Sequence, residues 1–169
     1  NSSDLTHATW IQGFTSKAEN PPEDTNPLVT CNTNETSATV IKDLAFEQSV
    51  EVGGYGAIQL TNASPTIENC LFQDLGTYVA EDGESFLTSQ GGAITISGGS
   101  PTITRSIFNS CSGYYGGAIY GDGCTLTVTE SLFASCYTVA AFTTDKITGD
   151  PDYVAYSSKG GAINVNDSV

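Results

Sequence analysis

Methionine is absent, tryptophan and histidine occur once each, and only five of the 169 residues are basic. A single His7 leaves no set of imidazoles for a zinc site, and Arg105 with the scattered Lys17, Lys42, Lys146 and Lys159 makes no basic patch. Nineteen acidic residues bring the formal charge to −14, which argues against nucleic acid or an anionic membrane as a partner. No apolar run is long enough for a membrane span, and no basic stretch followed by an apolar one opens the sequence. With 14% of residues charged and 38% hydrophobic, the acidity is carried by a foldable chain rather than a disordered tail. Its length suits one domain.

Five cysteines, Cys31, Cys70, Cys111, Cys124 and Cys136, are an odd number and include no C-x-x-C pair. They read as structural thiols, disulfide partners or both. Four N-glycosylation sequons begin at Asn1, Asn34, Asn62 and Asn166, and these place the chain outside the cell, either secreted or at the surface. The start at Asn1 reads as a processed chain or an excised segment.

What the sequence has in abundance is repetition. Gly-Ala-Ile recurs at Gly56-Ala57-Ile58, Gly92-Ala93-Ile94, Gly117-Ala118-Ile119 and Gly161-Ala162-Ile163. Ten residues after the first three of these alanines stand Ile67, Ile103 and Val128, and fifteen after stand Phe72, Phe108 and Phe133. A degenerate earlier copy places Cys31 at the alanine position, with Ile41 and Phe46 at the same offsets. The basic period is about 25 residues, with short β-branched stretches separated by turn residues and no helical periodicity. Such a unit cannot bury its apolar face alone, so units must stack with parallel strands in register. The expected fold is all-β, a single-stranded parallel β-helix of about four full coils and a partial fifth.

Residues 1–28 lie outside the repeat and read as an N-terminal cap. Residues 29–169 form the β-helix, with insertions near 75–90 and 137–159 that leave from the same corner of the stack. The Gly-Gly-Ala-Ile motif followed at fixed distance by a Phe strand resembles the GGAI and FxxN repeats of polymorphic-membrane-protein adhesins. More broadly it resembles the pectin-lyase-like right-handed β-helix proteins. The position three after each Phe holds Ser49, Leu75, Cys111 and Cys136, where that adhesin motif has Asn.

The resemblance implies a structural or adhesive surface protein. Gly160, Gly161, Ala162, Ile163, Asn164 and Val165 begin a coil that the sequence does not finish, and form an assembly edge. Either a further copy completes that coil head-to-tail, giving a filament, or the repeats belong to a longer β-helix. Cys111 and Cys136 share one position in consecutive coils and are read as a stacked disulfide or a thiol ladder, whereas Cys124, in a turn, is the better candidate for an exposed thiol or a pair with another element. Three sequons, at Asn34, Asn62 and Asn166, follow the Gly-Ala-Ile strand and would line one edge with glycans.

The alternative is a carbohydrate-binding or polysaccharide-processing module. Its site would be the loop corner, where Tyr78, Phe86, Phe142, Tyr153 and Tyr156 could stack on sugar rings. No cofactor is implied. Acidic loop residues such as Glu81, Asp82, Asp150 and Asp152 would suit Ca²⁺, yet lack the fixed spacing of a known calcium loop. Nor is a catalytic residue assigned. The lyases that the resemblance brings in use a basic residue over an acidic polymer, which this acidic surface would repel.

Overall fold

The computed structural model describes residues 9–13, 27–48, 56–76, 78–79, 85–86, 90–138 and 161–166. All regular structure among them is β. The chain runs through β1 (Thr9–Gly13), then β2 (Val29–Cys31), β3 (Val40–Lys42) and β4 (Leu44–Gln48). The next repeat supplies β5 (Ile58–Thr61), β6 (Thr66–Glu68) and β7 (Leu71–Gln73), followed by β8 (Tyr78–Val79) and β9 (Ser85–Phe86). Then come β10 (Ile94–Ser97), β11 (Thr102–Thr104), β12 (Ile107–Asn109) and β13 (Ser112–Gly113). After these follow β14 (Ile119–Asp122), β15 (Thr127–Thr129), β16 (Leu132–Ala134) and β17 (Tyr137–Thr138), and finally β18 (Ile163–Asn166).

Each repeat deals one strand to each of three parallel sheets. Their orders are β18-β14-β10-β5-β2, β15-β11-β6-β3 and β1-β4-β7-β12-β16. A short parallel pair, β13-β17, marks a further position, and among the described strands only β8-β9 is antiparallel. The sheets are open, and their arrangement fits a parallel β-helix.

Register follows the sequence motif residue by residue. Ile58, Ile94, Ile119 and Ile163 stand opposite one another in the first sheet, and Ile41, Ile67, Ile103 and Val128 in the second. Phe46, Phe72, Phe108 and Phe133 do so in the third, their rings stacked at 5.0, 4.6 and 4.6 Å and within 7° of parallel. Strand spacing of about 4.8 Å imposes that face-to-face separation. All three columns contribute to one hydrophobic core, where Phe46, Phe72, Phe108, Ile58, Ile67, Ile94 and Ile103 are fully buried.

The Gly-Gly of the motif has a steric cause. A Cβ on Gly92 would strike the Gly117 carbonyl and the Ser112 backbone, and one on Gly117 would strike Gly161 and Tyr137 backbone atoms. Missing side chains therefore let one repeat lie directly on the next. The other corners are turned by single left-handed residues: Asp43, Asn69, Arg105 and Glu130 before the Phe strand, and Asp74, Ser110 and Ser135 after it, all with φ between 50° and 58°. At the first of these corners a side-chain ladder takes over from the sheet. The Cys70 amide donates to Ser106 Oγ (3.2 Å) and the Ser106 amide to Ser131 Oγ (3.1 Å), while each hydroxyl donates to the carbonyl two residues back.

Two expectations need correction. Cys31 pairs with Leu60, not with Ala57, because Val29 is the residue opposite Ile58. The first turn of that repeat is three residues longer than its successor, which shifts the strand while leaving Ile41 and Phe46 in column. Cys124 is not an exposed thiol: it is 1% exposed and belongs to the core, its sulfur filling the space that a side chain at Gly121 would need. Within the segment read as a cap, β1 runs parallel to β4 and extends the Phe sheet by one strand.

Candidate functional site

The corner after the Phe strand gathers the chemistry. At Ser110 and Ser135 the chain turns through the left-handed region and delivers Cys111 and Cys136 to equivalent positions in consecutive repeats. The Tyr137 amide donates to the Cys111 carbonyl (3.0 Å), and Ser112 stands opposite Tyr137, so the two cysteines are in-register neighbours. Their sulfurs aim alike: Cys111 Sγ lies 3.6 Å from the Phe72 carbonyl oxygen, and Cys136 Sγ lies 3.5 Å from that of Phe108. All five cysteines are free thiols.

The pair is asymmetric. Cys111 is fully buried, whereas Cys136 is half-buried and lines a shallow groove of about 450 Å³ with Asp74, Leu75, Ser110, Ser112, Ser135 and Tyr137. Tyr137 is 56% exposed at that groove. The neighbouring Cys136 side chain, with burial, pushes the Cys111 thiol up, and the Cys111 side chain lowers Cys136 to about 7. Leu75 occupies this column in the preceding repeat, so two cysteines are its whole complement of sulfur among the described residues.

The insertions depart from this same corner, after Gly76 and after Thr138. Of the aromatic residues expected there, Tyr78 and Phe86 stand opposite one another across the β8-β9 hairpin. Phe142, Tyr153 and Tyr156 lie outside the described residues, as do Glu81, Asp82, Asp150 and Asp152. Among the described residues no group of three or more His, Cys, Asp or Glu side chains could hold a metal ion.

A second corner, between the Gly-Ala-Ile strand and the next, holds three of the four sequons. Asn34 and Asn62 are exposed there in the left-handed region, with φ of 62° and 51°. Asn166 is half-buried, its amide nitrogen 3.4 Å from the Tyr120 hydroxyl. Asn1 lies outside the described residues, as does Gly160 of the expected assembly edge. Gly161 to Val165 are tied to the preceding repeat: the Gly117 amide donates to the Gly161 carbonyl (2.7 Å), and the Ala118 and Ile119 amides to that of Ala162 (2.8 and 3.0 Å). Ile163 and Val165 stand opposite Ile119 and Gly121 in β14, so the other edge of β18 faces no strand among the described residues.

In the sequence Cys70, Ser106 and Ser131 read as small packing residues and not as a hydrogen-bonded ladder, and the αL corners around the Phe strand are not read at all. The ladder's one visible signal was the recurrence of small polar residues at Cys70, Ser106 and Ser131, thirteen residues after each alanine. The chain matches no known protein family, no curated protein and no solved structure, so the likeness to the GGAI-repeat adhesins rests on the motif alone.

Proposed function

We propose that the chain is a module of a right-handed, pectin-lyase-like parallel β-helix at the cell surface or outside the cell, with a structural and adhesive role. In this reading it carries glycans along the Asn34–Asn62–Asn166 corner and extends by head-to-tail addition of further copies. One observation supports it above the others: among the described residues, the first and last strands of the stack step in opposite senses. At one end β18 extends the first sheet a strand beyond β15 and β16 of the other two; at the opposite end β1 extends the third sheet a strand beyond β2 and β3. A copy placed end to end would set its β1 beside β16 and its β2 beside β18, all parallel, with its β3 two strand spacings from β15 in the second sheet. Strand addition of this kind satisfies main-chain groups on both partners. Because the joined faces differ and the copies add along the axis of the stack, the contact propagates as a filament.

Light scattering and electron microscopy of the glycosylated chain test the reading. Association rising with concentration into linear particles is the expected result, with Ile163→Lys and Val165→Lys reducing it at least about tenfold, as buried charge at a strand edge does. A monomer at every concentration would overturn it. Carbohydrate binding is the second reading, favoured by the exposed ring of Tyr137 beside the groove. It predicts glycan binding that Tyr137→Ala abolishes while leaving association intact.

A further inference from the structure

We propose that Cys111 and Cys136 are a reversible thiol–disulfide couple, and that Cys136 is the sulfur that a low-molecular-weight disulfide such as oxidised glutathione meets first. The inference stands independently of the assembly reading. It rests on register: among the five cysteines, Cys70 has Ser106 above it and Cys31 has Leu60 beside it, whereas Cys111 and Cys136 have each other. In-register parallel strands lie about 4.8 Å apart, within the Cα range that a disulfide spans. Access sets the order of events. Cys111 is shut inside under its neighbour, while Cys136 opens on the groove at the corner.

The exchange balances as two substitutions. The Cys136 thiolate attacks one sulfur of the external disulfide, the S–S bond breaks, and one thiolate leaves. Cys111 then gives up its proton, attacks the Cys136 sulfur and expels the second thiolate. Two protein thiols and one external disulfide become one protein disulfide and two external thiols. Lowered to about 7 beside Cys111, Cys136 supplies a thiolate fraction for the first attack near neutral pH. Because both side chains leave parallel strands in the same direction, closing the bond twists them from their resting geometry. Strained bridges are the readily reduced ones, so the reverse reaction is also open. The oxidised form clamps the third and fourth repeats together at the point where the second insertion departs.

The test is a redox titration of the intact chain in mixtures of reduced and oxidised glutathione, trapped with N-ethylmaleimide. Intact mass and fragmentation after cleavage at Glu130, which separates Cys136 from the earlier cysteines, locate any bridge. Oxidising mixtures should convert the chain to a species lighter by two hydrogens, with Cys136 joined to Cys111, and reduced glutathione should restore it. In Cys111→Ser the glutathione adduct should accumulate at Cys136, and in Cys136→Ser neither adduct nor bridge should form at Cys111. The wild-type chain alone can overturn the proposal. All five thiols still alkylable after denaturation from the most oxidising mixture would do so, as would a lasting glutathione adduct at Cys136 or a bridge from Cys136 to Cys124.

Discussion

Cys70 fills the place that Ser106 and Ser131 hold in the next two repeats, and the exchange of oxygen for sulfur makes that corner sensitive to alkali. Burial is the main cause that pushes its thiol from 9.0 up to about 11. The folded chain therefore holds this proton more tightly than the unfolded chain does. Its contribution is complete below about 9 and is lost as pH rises towards about 11, a loss of roughly 2 kcal/mol. Cys70→Ser should flatten this decline, since serine forms the same ladder without ionising; urea denaturation at successive alkaline pH values measures it, and an unchanged slope would refute it. Glu130 is a second residue at odds with its position. Its φ is 51° where the equivalent residues include Asp43 and Asn69, types that tolerate the left-handed region. Glu130→Asn should stabilise the chain by about 0.5 to 1 kcal/mol, part of the cost of a left-handed L-residue, seen as a higher urea midpoint with an unchanged slope.

At the scale of the strand, stability comes from columns. Phe108 has Phe72 on one face at 4.6 Å and Phe133 on the other at 4.6 Å, so truncating it opens a cavity in the middle of the stack. Phe108→Ala should cost about 3 to 5 kcal/mol in denaturant titration, and a loss no larger than a surface substitution would mean that the rings do not share a core. The glycine corners make a sharper comparison. Gly92→Ala places a methyl group against the Gly117 carbonyl and the Ser112 backbone, which cannot swing aside as a side chain can, and should cost about 2 kcal/mol or more. Gly161→Ala, with no described atom within 4 Å, should stay within about 0.5 kcal/mol. Thermal unfolding of the two variants side by side gives the contrast. The offsets of ten and fifteen residues made these columns legible in advance. Cys31 was misplaced by the same method, because a fixed offset counts residues and cannot detect a turn lengthened by three between two correctly aligned strands.

For the molecule as a whole, the charge of −14 opposes the head-to-tail contact proposed above, since every copy repels every other. Added salt should therefore promote association, because at about 0.15 M the screening length falls to about 8 Å while hydrogen bonds at a strand edge are little affected. Light scattering across a salt series tests this, and association that weakens with salt would indicate ion pairing between copies instead. The sequence by itself determined the repeat, the strand class and the pairing of like residues, because a period-two apolar pattern recurring at constant offsets has only one register that buries every column at once. Tertiary structure alone decided the rest. Which cysteine is shut in and which opens on a groove, whether Cys124 faces solvent or core, and how the two ends are stepped all depend on what the chain brings against each residue from a distant repeat. No local pattern encodes that, since burial is a property of neighbours in space.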